Sequence, residues 1–386
     1  MNVVFFTHYS DLYGANLGLI NLIDGLKKYQ INCHVIIPKK GKIGRELRSR
    51  NVPFAIIPIE CWIDMPRRSN NPSKKFYWKL QRLLKNIQLI PQLTKIINSW
   101  EADIIYTNSA VINIGLVVAK LLKLPHVWHI KEFVDLDYDF QFDWGKKFFQ
   151  YSVKKSEAVI TMSQALTAYH FKNISIPSIQ VIYDGIAFES NFDHWYQLSH
   201  PYPFDKNEFY TFALVGKIYP QKGHEIAIKA MAIITKKYKN VRLIIVGSGE
   251  QSYENYLQKL THELEIANKV EFWGYLNDPF KAYFSSDAVL MCSTSEGMGR
   301  VTIEAMATCR PVIGYDNAGT SELIEHESTG LLYQNNEPKT LAACMERFVE
   351  NVSWSQALGK NAWKIAKQKY SIENFAQEVY QVLSSL

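Results

Sequence analysis

Along the chain, short runs of β-branched and aromatic residues alternate with longer stretches whose apolar positions recur at helical spacing. Residues 3–6, 34–37, 54–58, 103–106, 126–129, 158–161 and 180–182 predict strands in the first half. Residues 212–215, 242–246, 270–272, 288–291, 311–313 and 330–333 do so in the second. Strands separated by helices imply parallel sheets built from right-handed βαβ units. The series restarts near residue 210, after a loop-like stretch, 199–205, that carries Pro201 and Pro203. The expected organisation is therefore two Rossmann-like, doubly wound α/β domains, 1–200 and 208–370, with a C-terminal helix over 371–386 packing back on the first. Ligands of such sheets bind outside the carboxyl ends of the strands, which points to a central cleft between the two domains.

Composition supports a large core: the 386 residues are 47% hydrophobic and 21% charged, with no disordered or collagen-like bias. The net charge of +6 is unevenly spread. Residues 27–85 hold fifteen Lys and Arg against three acids, an excess of +12 that leaves −6 for the rest of the chain. One face of the first domain is expected to meet something anionic, a membrane surface or nucleic acid. Residues 74–90 sharpen this. At helical spacing Phe76, Leu80, Leu83, Leu84, Ile87 and Ile90 share one side, and Lys74, Lys75, Lys79, Arg82 and Lys85 take the other. With Tyr77 and Trp78 near its start, the segment suits an anionic lipid surface better than nucleic acid, or packs its apolar side on the domain. The five cysteines form no C-x-x-C pair and sit mostly in apolar segments, which suits reduced thiols in the cytoplasm with neither disulfide nor zinc. The opening run reads as a strand rather than a signal peptide, and residues 110–124, with Asn113, Lys120 and Lys123, are too short and polar to span a bilayer. Any membrane contact is expected to be peripheral, on the inner face.

Four segments carry candidate chemistry. Tyr13-Gly14-Ala15-Asn16-Leu17-Gly18 follows the first strand and enters a helix; its glycines would let backbone N–H groups approach an anion, or simply make a tight corner. Val246-Gly247-Ser248-Gly249-Glu250 is equally open. In the stretch 215–223, Gly216-Lys217 and Lys222-Gly223 set two cations five residues apart on one loop, which suits a diphosphate, though a solvated loop would look alike. In the stretch 293–304, Glu296 and Glu304 stand eight residues apart with Gly297 and Gly299 between them. A carboxylate accepting two vicinal hydroxyls is a common grip on a ribose or hexose; the plain alternative is a capping Glu and a surface helical Glu.

Gly14-Ala15, residues 181–186, Gly216-Lys217 with Lys222-Gly223, residues 246–249, Glu296-Gly297-Met298-Gly299 with Glu304-Ala305-Met306-Ala307, residues 311–313, Gly319-Thr320-Ser321-Glu322 and residues 330–332 occur in an order and spacing that resembles the retaining glycosyltransferases of family four. The resemblance covers nearly the whole chain. It implies a GT-B fold, with the nucleotide-sugar donor held mainly by the second domain and the acceptor by the first. It also implies a clamp on the diphosphate from Lys217 and Lys222 beside Gly216, with Gly247 nearby. Glu304 would hold the ribose and Glu296 the donor sugar, with Gly297, Met298, Gly299 and Val301 beside them. Gly14 and Ala15 would close on the phosphate, and His129 would be the active-site histidine, with Asn16 and Glu132 on the acceptor side. Lys217 stands where Arg is frequent, Ala15 where a second Gly is, Asp184 for Asn, Met298 for Phe and Cys309 for Gly.

The implied reaction moves a hexose, glucose first, from a UDP-linked donor to a glycan or lipid-linked acceptor in polysaccharide biosynthesis, with retention and without metal or other cofactor. Asp135-Leu136-Asp137-Tyr138-Asp139 also fits the D-x-D metal site of single-domain transferases. Other readings are a nucleotide-sugar epimerase of the same shape and a non-catalytic nucleotide-binding module. NAD is disfavoured, because no complete G-x-G-x-x-G follows the first strand.

Overall fold

The computed structural model describes residues 1–64, 71–176, 178–199 and 209–386. Arg67 and Arg68 of the basic stretch, and the expected connection with Pro201 and Pro203, lie outside the described residues. The chain forms two compact units, Met1–Gly185 with Ile372–Leu386, and Ile186–Ser371.

In the first unit β1 (Asn2–Phe6), β2 (Asn32–Ile37), β3 (Phe54–Ile56), β4 (Ile104–Thr107), β5 (His126–Ile130), β6 (Ala158–Thr161) and β7 (Ile179–Val181) form one sheet. Its order is β3-β2-β1-β4-β5-β6-β7, and all its pairings are parallel. In the second, β8 (Tyr210–Val215), β9 (Val241–Val246), β10 (Val270–Gly274), β11 (Ala288–Met291), β12 (Val312–Tyr315) and β13 (Gly330–Tyr333) take the order β10-β9-β8-β11-β12-β13, again all parallel. Both are doubly wound, and the order reverses beside β1 and beside β8. Every strand expected from the sequence is present, with ends shifted by at most two residues. The antiparallel pair Ile63–Asp64 with Gln141–Phe142 was not expected.

The alternation within the strands explains why the pattern was readable. Val3 and Phe5 pack on one side of the sheet with Leu19, Leu22 and Ile23, while Val4 and Phe6 pack on the other with Leu93, Ile97 and Val118. A parallel strand buried on both faces is a continuous apolar run.

Five helices matter below: α1 (Gly14–Leu26), α2 (Pro72–Ser99), α3 (His224–Ile234), α4 (Arg300–Ala307) and α5 (Ile372–Ser384). α5 joins the first unit, burying Phe375, Val379 and Leu383 in its core. It crosses α1 so closely that a Cβ on Gly25 would lie 2.5 Å from that of Ala376. The boundary between the units falls at Gly185–Ile186, earlier than the prolines suggested, because the helix Glu189–Leu198 docks within the second unit. There the Trp363 indole N–H donates to the Phe192 carbonyl (2.9 Å) and the Ser199 hydroxyl donates to that of Thr308 (2.9 Å).

α2 overturns one expectation. Asn71 caps it by accepting from the Ser73 N–H (2.9 Å), Pro72 opens it, and it runs through Pro91. Three of the five cations assigned to its outer side pair with acids of the unit: Lys75 with Asp64 (3.4 Å), Arg82 with Asp143 (2.5 Å) and Lys85 with Glu60 (2.8 Å). Phe76, Leu80, Leu83, Leu84 and Ile87 are exposed instead. The acids of neighbouring segments decide which side faces in. No helix among the described residues is long and apolar enough to cross a membrane. Cys33, Cys61, Cys292, Cys309 and Cys344 form no disulfide with one another.

Two glycine substitutions test this packing. Gly247 has φ +142°, and a Cβ there would lie 1.8 Å from the Gly216 carbonyl oxygen, whereas one on Gly14 meets nothing within 4 Å. Gly247→Ala is expected to destabilise by about 2 kcal/mol or more. Gly14→Ala should stay within about 1 kcal/mol of the parent, on the stabilising side. Equal urea midpoints for the two variants would contradict this geometry.

Candidate active site

In the second unit the loops after β8, β9 and β11 leave the carboxyl edge of the sheet. After Val215, Gly216 takes φ +149°, and the following residues lie against the turn after β9. Ile218 bridges Gly249, and its N–H donates to the Ser248 carbonyl (3.0 Å). Of the two open readings of residues 246–250, the close corner therefore applies. Gly247 is buried and its N–H donates to the Gly274 carbonyl (2.8 Å), so it supports the Lys217 loop rather than offering a donor to a ligand. Lys217 itself is exposed.

Lys222 ends a short turn, and Gly223 (φ +73°) starts α3 pressed against the Cys292 carbonyl, where a Cβ would come within 2.2 Å. This brings the loop after β8 against the one after β11, with the Thr294 N–H donating to the Gln221 carbonyl (2.9 Å). Lys222 Nζ then lies 2.5 Å from Glu296 Oε1, and the two side chains are 35% and 16% exposed. A cation and a carboxylate expected to serve different parts of one ligand are thus partners of each other.

Gly297 and Met298 are buried beside them, and Gly299 (φ +88°) begins α4. Val301 and Glu304 lie on α4. Glu304 is nearly buried: Oε1 accepts from Arg300 Nε (2.8 Å) and Oε2 from the Tyr283 hydroxyl (2.8 Å). Burial and the Glu304 charge push the Tyr283 hydroxyl well above its ordinary value, so it stays a donor. A carboxylate held by two donors keeps lone pairs for a diol, in a fixed orientation. The sequence missed Tyr283, which comes from another segment; Arg300, one helical turn from Glu304, was legible as an i, i+4 pair. The exchange of Gly for Cys309 falls at φ +59°, a left-handed position before β12 where glycine is the unstrained choice.

In the first unit, Gly14 opens α1 in open space, with Ala15 beside it accepting from Asn108 Nδ2 (3.1 Å). Asn16, expected on the acceptor side, is fully buried. It accepts from the Thr7 hydroxyl (2.5 Å) and donates to the carbonyls of Tyr9 (3.0 Å) and Asp11 (2.7 Å), so it shapes the loop from inside.

His129 is also fully buried. Its Nδ1 lies 2.7 Å from the Tyr106 hydroxyl and its Nε2 3.8 Å from Asp184 Oδ1. Burial raises the phenol well above its ordinary value, so the phenol donates to Nδ1. Burial, and then the Lys131 charge, hold the imidazole well below its own, so it is neutral with its proton on Nε2. Lys131, two residues on, places Nζ 2.6 Å from both oxygens of Asp184, with 2% and 5% of the two side chains exposed. Asp184 in place of Asn is thereby explained: its charge matches Lys131. A Cβ on Gly18 would lie 2.2 Å from Asp184 Oδ2, so the corner reading holds for that glycine too. The signal for this pair was a charge set in each of two apolar runs, 126–133 and 179–187.

Glu132 is buried, accepting from the Ser109 hydroxyl (2.9 Å) and the Ala110 N–H (2.9 Å). It pins the loop after β4 instead of facing outward, and burial pushes its carboxyl up to about 7. The D-x-D residues also hold their own loop: Asp135 accepts from the Tyr169 hydroxyl and Asp137 from the Phe133 N–H (2.7 Å). Among the described residues no three His, Cys, Asp or Glu side chains gather as metal ligands.

Comparison with known proteins gives two family matches. The family described as Glycosyl transferases group 1 matches residues 201–365, and Glycosyltransferase Family 4 matches residues 13–190. An uncharacterized glycosyltransferase of Methanocaldococcus jannaschii is 31% identical over 239 residues, 60% of each chain. A capsular polysaccharide biosynthesis glycosyltransferase of Staphylococcus aureus is 27% identical over 204 residues, 53% of this chain and 52% of the relative. The matched stretch thus spans between half and three fifths of these relatives. Among solved structures, Anabaena HepE in complex with UDP is similar with a TM-score of 0.81 at 23% identity, covering 100% of both chains, and the same protein has been solved with UDP-glucose. That likeness shows the fold, two parallel α/β domains of the GT-B kind.

Two consequences are measurable. Lys131→Met leaves Asp184 buried without its cation and should cost about 3–5 kcal/mol, part of which Lys131→Met with Asp184→Asn restores. Additive costs in this cycle would show that the pair is not coupled. Glu132, whose carboxyl is raised from 4.5 to about 7, contributes stability that is complete below pH 4.5 and lost as pH rises through about 7. The stability difference between the parent and Glu132→Gln should therefore shrink across that window in urea titrations. A difference independent of pH would remove the assignment.

Proposed function

We propose, for a chain that belongs to the glycosyltransferases of group 1 and family 4, the transfer of a hexose from a nucleoside diphosphate to an acceptor hydroxyl with retention at the anomeric carbon. UDP-glucose is the first candidate donor, and a glycan or lipid-linked sugar in polysaccharide biosynthesis the acceptor. The observation that carries this reading is the Lys222–Glu296 pair at the carboxyl edge of the second sheet. The capsular role of the Staphylococcus aureus relative and the UDP-glucose held by Anabaena HepE agree with it.

The pair suggests how the donor engages. Glu296 neutralises Lys222. The arriving diphosphate replaces the carboxylate as the partner of Lys222, and the released Glu296 accepts hydrogen bonds from the sugar hydroxyls. One ion pair is exchanged for another, so no charge is left bare. As the sugar–phosphate bond breaks, Lys222 and the exposed Lys217 stabilise the charge on the leaving diphosphate. Glu304, oriented by Tyr283 and Arg300, takes the ribose. The acceptor attacks from the face the diphosphate leaves, and a phosphate oxygen takes its proton, so no carboxylate nucleophile is required. With two lysines on the diphosphate, transfer is proposed to need no metal and no other cofactor. Five cysteines that form no disulfide support a reducing, cytoplasmic setting.

Lys222→Ala is expected to lower turnover by about a hundredfold or more, with partial recovery in Lys222→Arg. The assay is mass spectrometry of products from a panel of UDP- and GDP-sugars, and near-normal turnover of Lys222→Ala would overturn the assignment.

A further inference from the structure

The first unit carries a cleft of about 480 Å³ at the amino edge of its sheet. That volume falls among those of small-molecule sites, about 300–1,000 Å³. β1 and β2 begin there, at Asn2 and Asn32, and three helical segments end there. These are α1, which leads on to Ile31, the helix Lys42–Ser49 with Arg50 and Asn51 after it, and α2 with Trp100 and Glu101 after it. Its floor is apolar, since Ile23, Ile31, Cys33 and Val52 belong to the core of the unit. His34 and Trp100 add a pair of stacked rings, 4.9 Å between centroids and inclined by 24°. Burial lowers His34 from its ordinary value, so the imidazole is neutral.

Asn2 joins these parts into one frame. Its Nδ2 donates to the carbonyls of Trp100 (3.2 Å) and Glu101 (2.8 Å), and its Oδ1 accepts from Asn32 Nδ2 (2.9 Å). A site fixed in this way spends little of a ligand's affinity on ordering itself.

The charges indicate what the cleft takes. Arg50 already meets Asp24 (2.8 Å) and Glu46 (2.6 Å), and Lys27 meets Asp24 (2.8 Å), so neither lining cation is bare for a phosphate or carboxylate. What stays available is hydrogen bonding of both senses. The Asn51 amide and the Glu101 carboxylate have no side-chain partner among the described residues, and Asn32 keeps its Oδ1. An amide donates and accepts, and a carboxylate accepts from two vicinal hydroxyls. A sugar ring has the matching surface: a C–H face that lies against aromatic rings, and a rim of hydroxyls that both donate and accept.

We propose that this cleft is a second carbohydrate site, which holds a short neutral stretch of glycan on the His34–Trp100 pair, with Asn32, Asn51 and Glu101 as its hydrogen-bonding groups. It lies at the edge of the sheet opposite the one where transfer is proposed, so a glycan stays in it whether or not the donor is bound. Binding there does not depend on which sugar is transferred.

The test is saturation-transfer NMR of the full chain with maltotriose, cellotriose and triacetylchitotriose, each with and without saturating UDP. Transfer to at least one trisaccharide is expected, unchanged by UDP. Asn51 and Glu101 have φ +56° and +48°, where glycine is at ease, so Asn51→Gly with Glu101→Gly removes both polar groups while leaving the melting temperature unchanged or raised. This pair of changes should weaken binding by about tenfold or more, and the addition of His34→Ala should weaken it further. Three results would overturn the proposal: no transfer to any of the three sugars, transfer that UDP abolishes, which would give the glycan to the site of reaction, or a folded triple variant that binds like the parent.

Discussion

A parallel sheet covered on both faces has no room for polar side chains except where its strands end. Val3 to Phe6 are all fully buried, two on each side, and β4, β5, β6 and β11 are likewise buried along their whole length. Backbone hydrogen bonds are satisfied within the sheet, so the groups that meet ligands are confined to loops at the carboxyl edges, where the strand order reverses. The site inherits its layout from this restriction. Lys222 and Glu296 are 74 residues apart in sequence, yet they meet because the loops after β8 and β11, neighbours in the sheet, must leave it side by side.

The two ion pairs of the site residues differ in kind. Lys131 and Asp184 have surrendered nearly all contact with water, and only their mutual attraction makes that tolerable. Such a pair does not exchange partners at low cost, and it fixes the end of β5 to the chain beyond β7. Lys222 and Glu296 keep part of their hydration, so a competing anion can enter with little penalty. Permanence and exchange are set by burial, with the same chemical groups in both cases.

How much of this was legible follows from range. The strands were, because burial on two faces writes an unbroken apolar run. The loop cations and the spaced glutamates were, because their residue types declare a chemistry. Tyr283 and Asp184 were not, since each gains its role from a residue more than twenty positions away. His129, Asn16 and Glu132 carried the right chemistry but proved to be interior, where periodicity does not separate a strand-end side chain that faces the edge from one that points beneath it. For α2 the pattern gave two sides and no way to choose between them, because the deciding acids, Glu60, Asp64 and Asp143, lie on other segments.

The return of α5 to the first unit makes the second unit an insertion within the first, placed between Gly185 and Ile372. During synthesis the second unit has all its residues once Ser371 has emerged. The first, although begun earlier, still lacks Phe375, Val379 and Leu383 from its core and shows the bare flank of α1. The half begun first is therefore completed after the other, and the emergence of α5, rather than the appearance of β1, sets the moment at which that core can close.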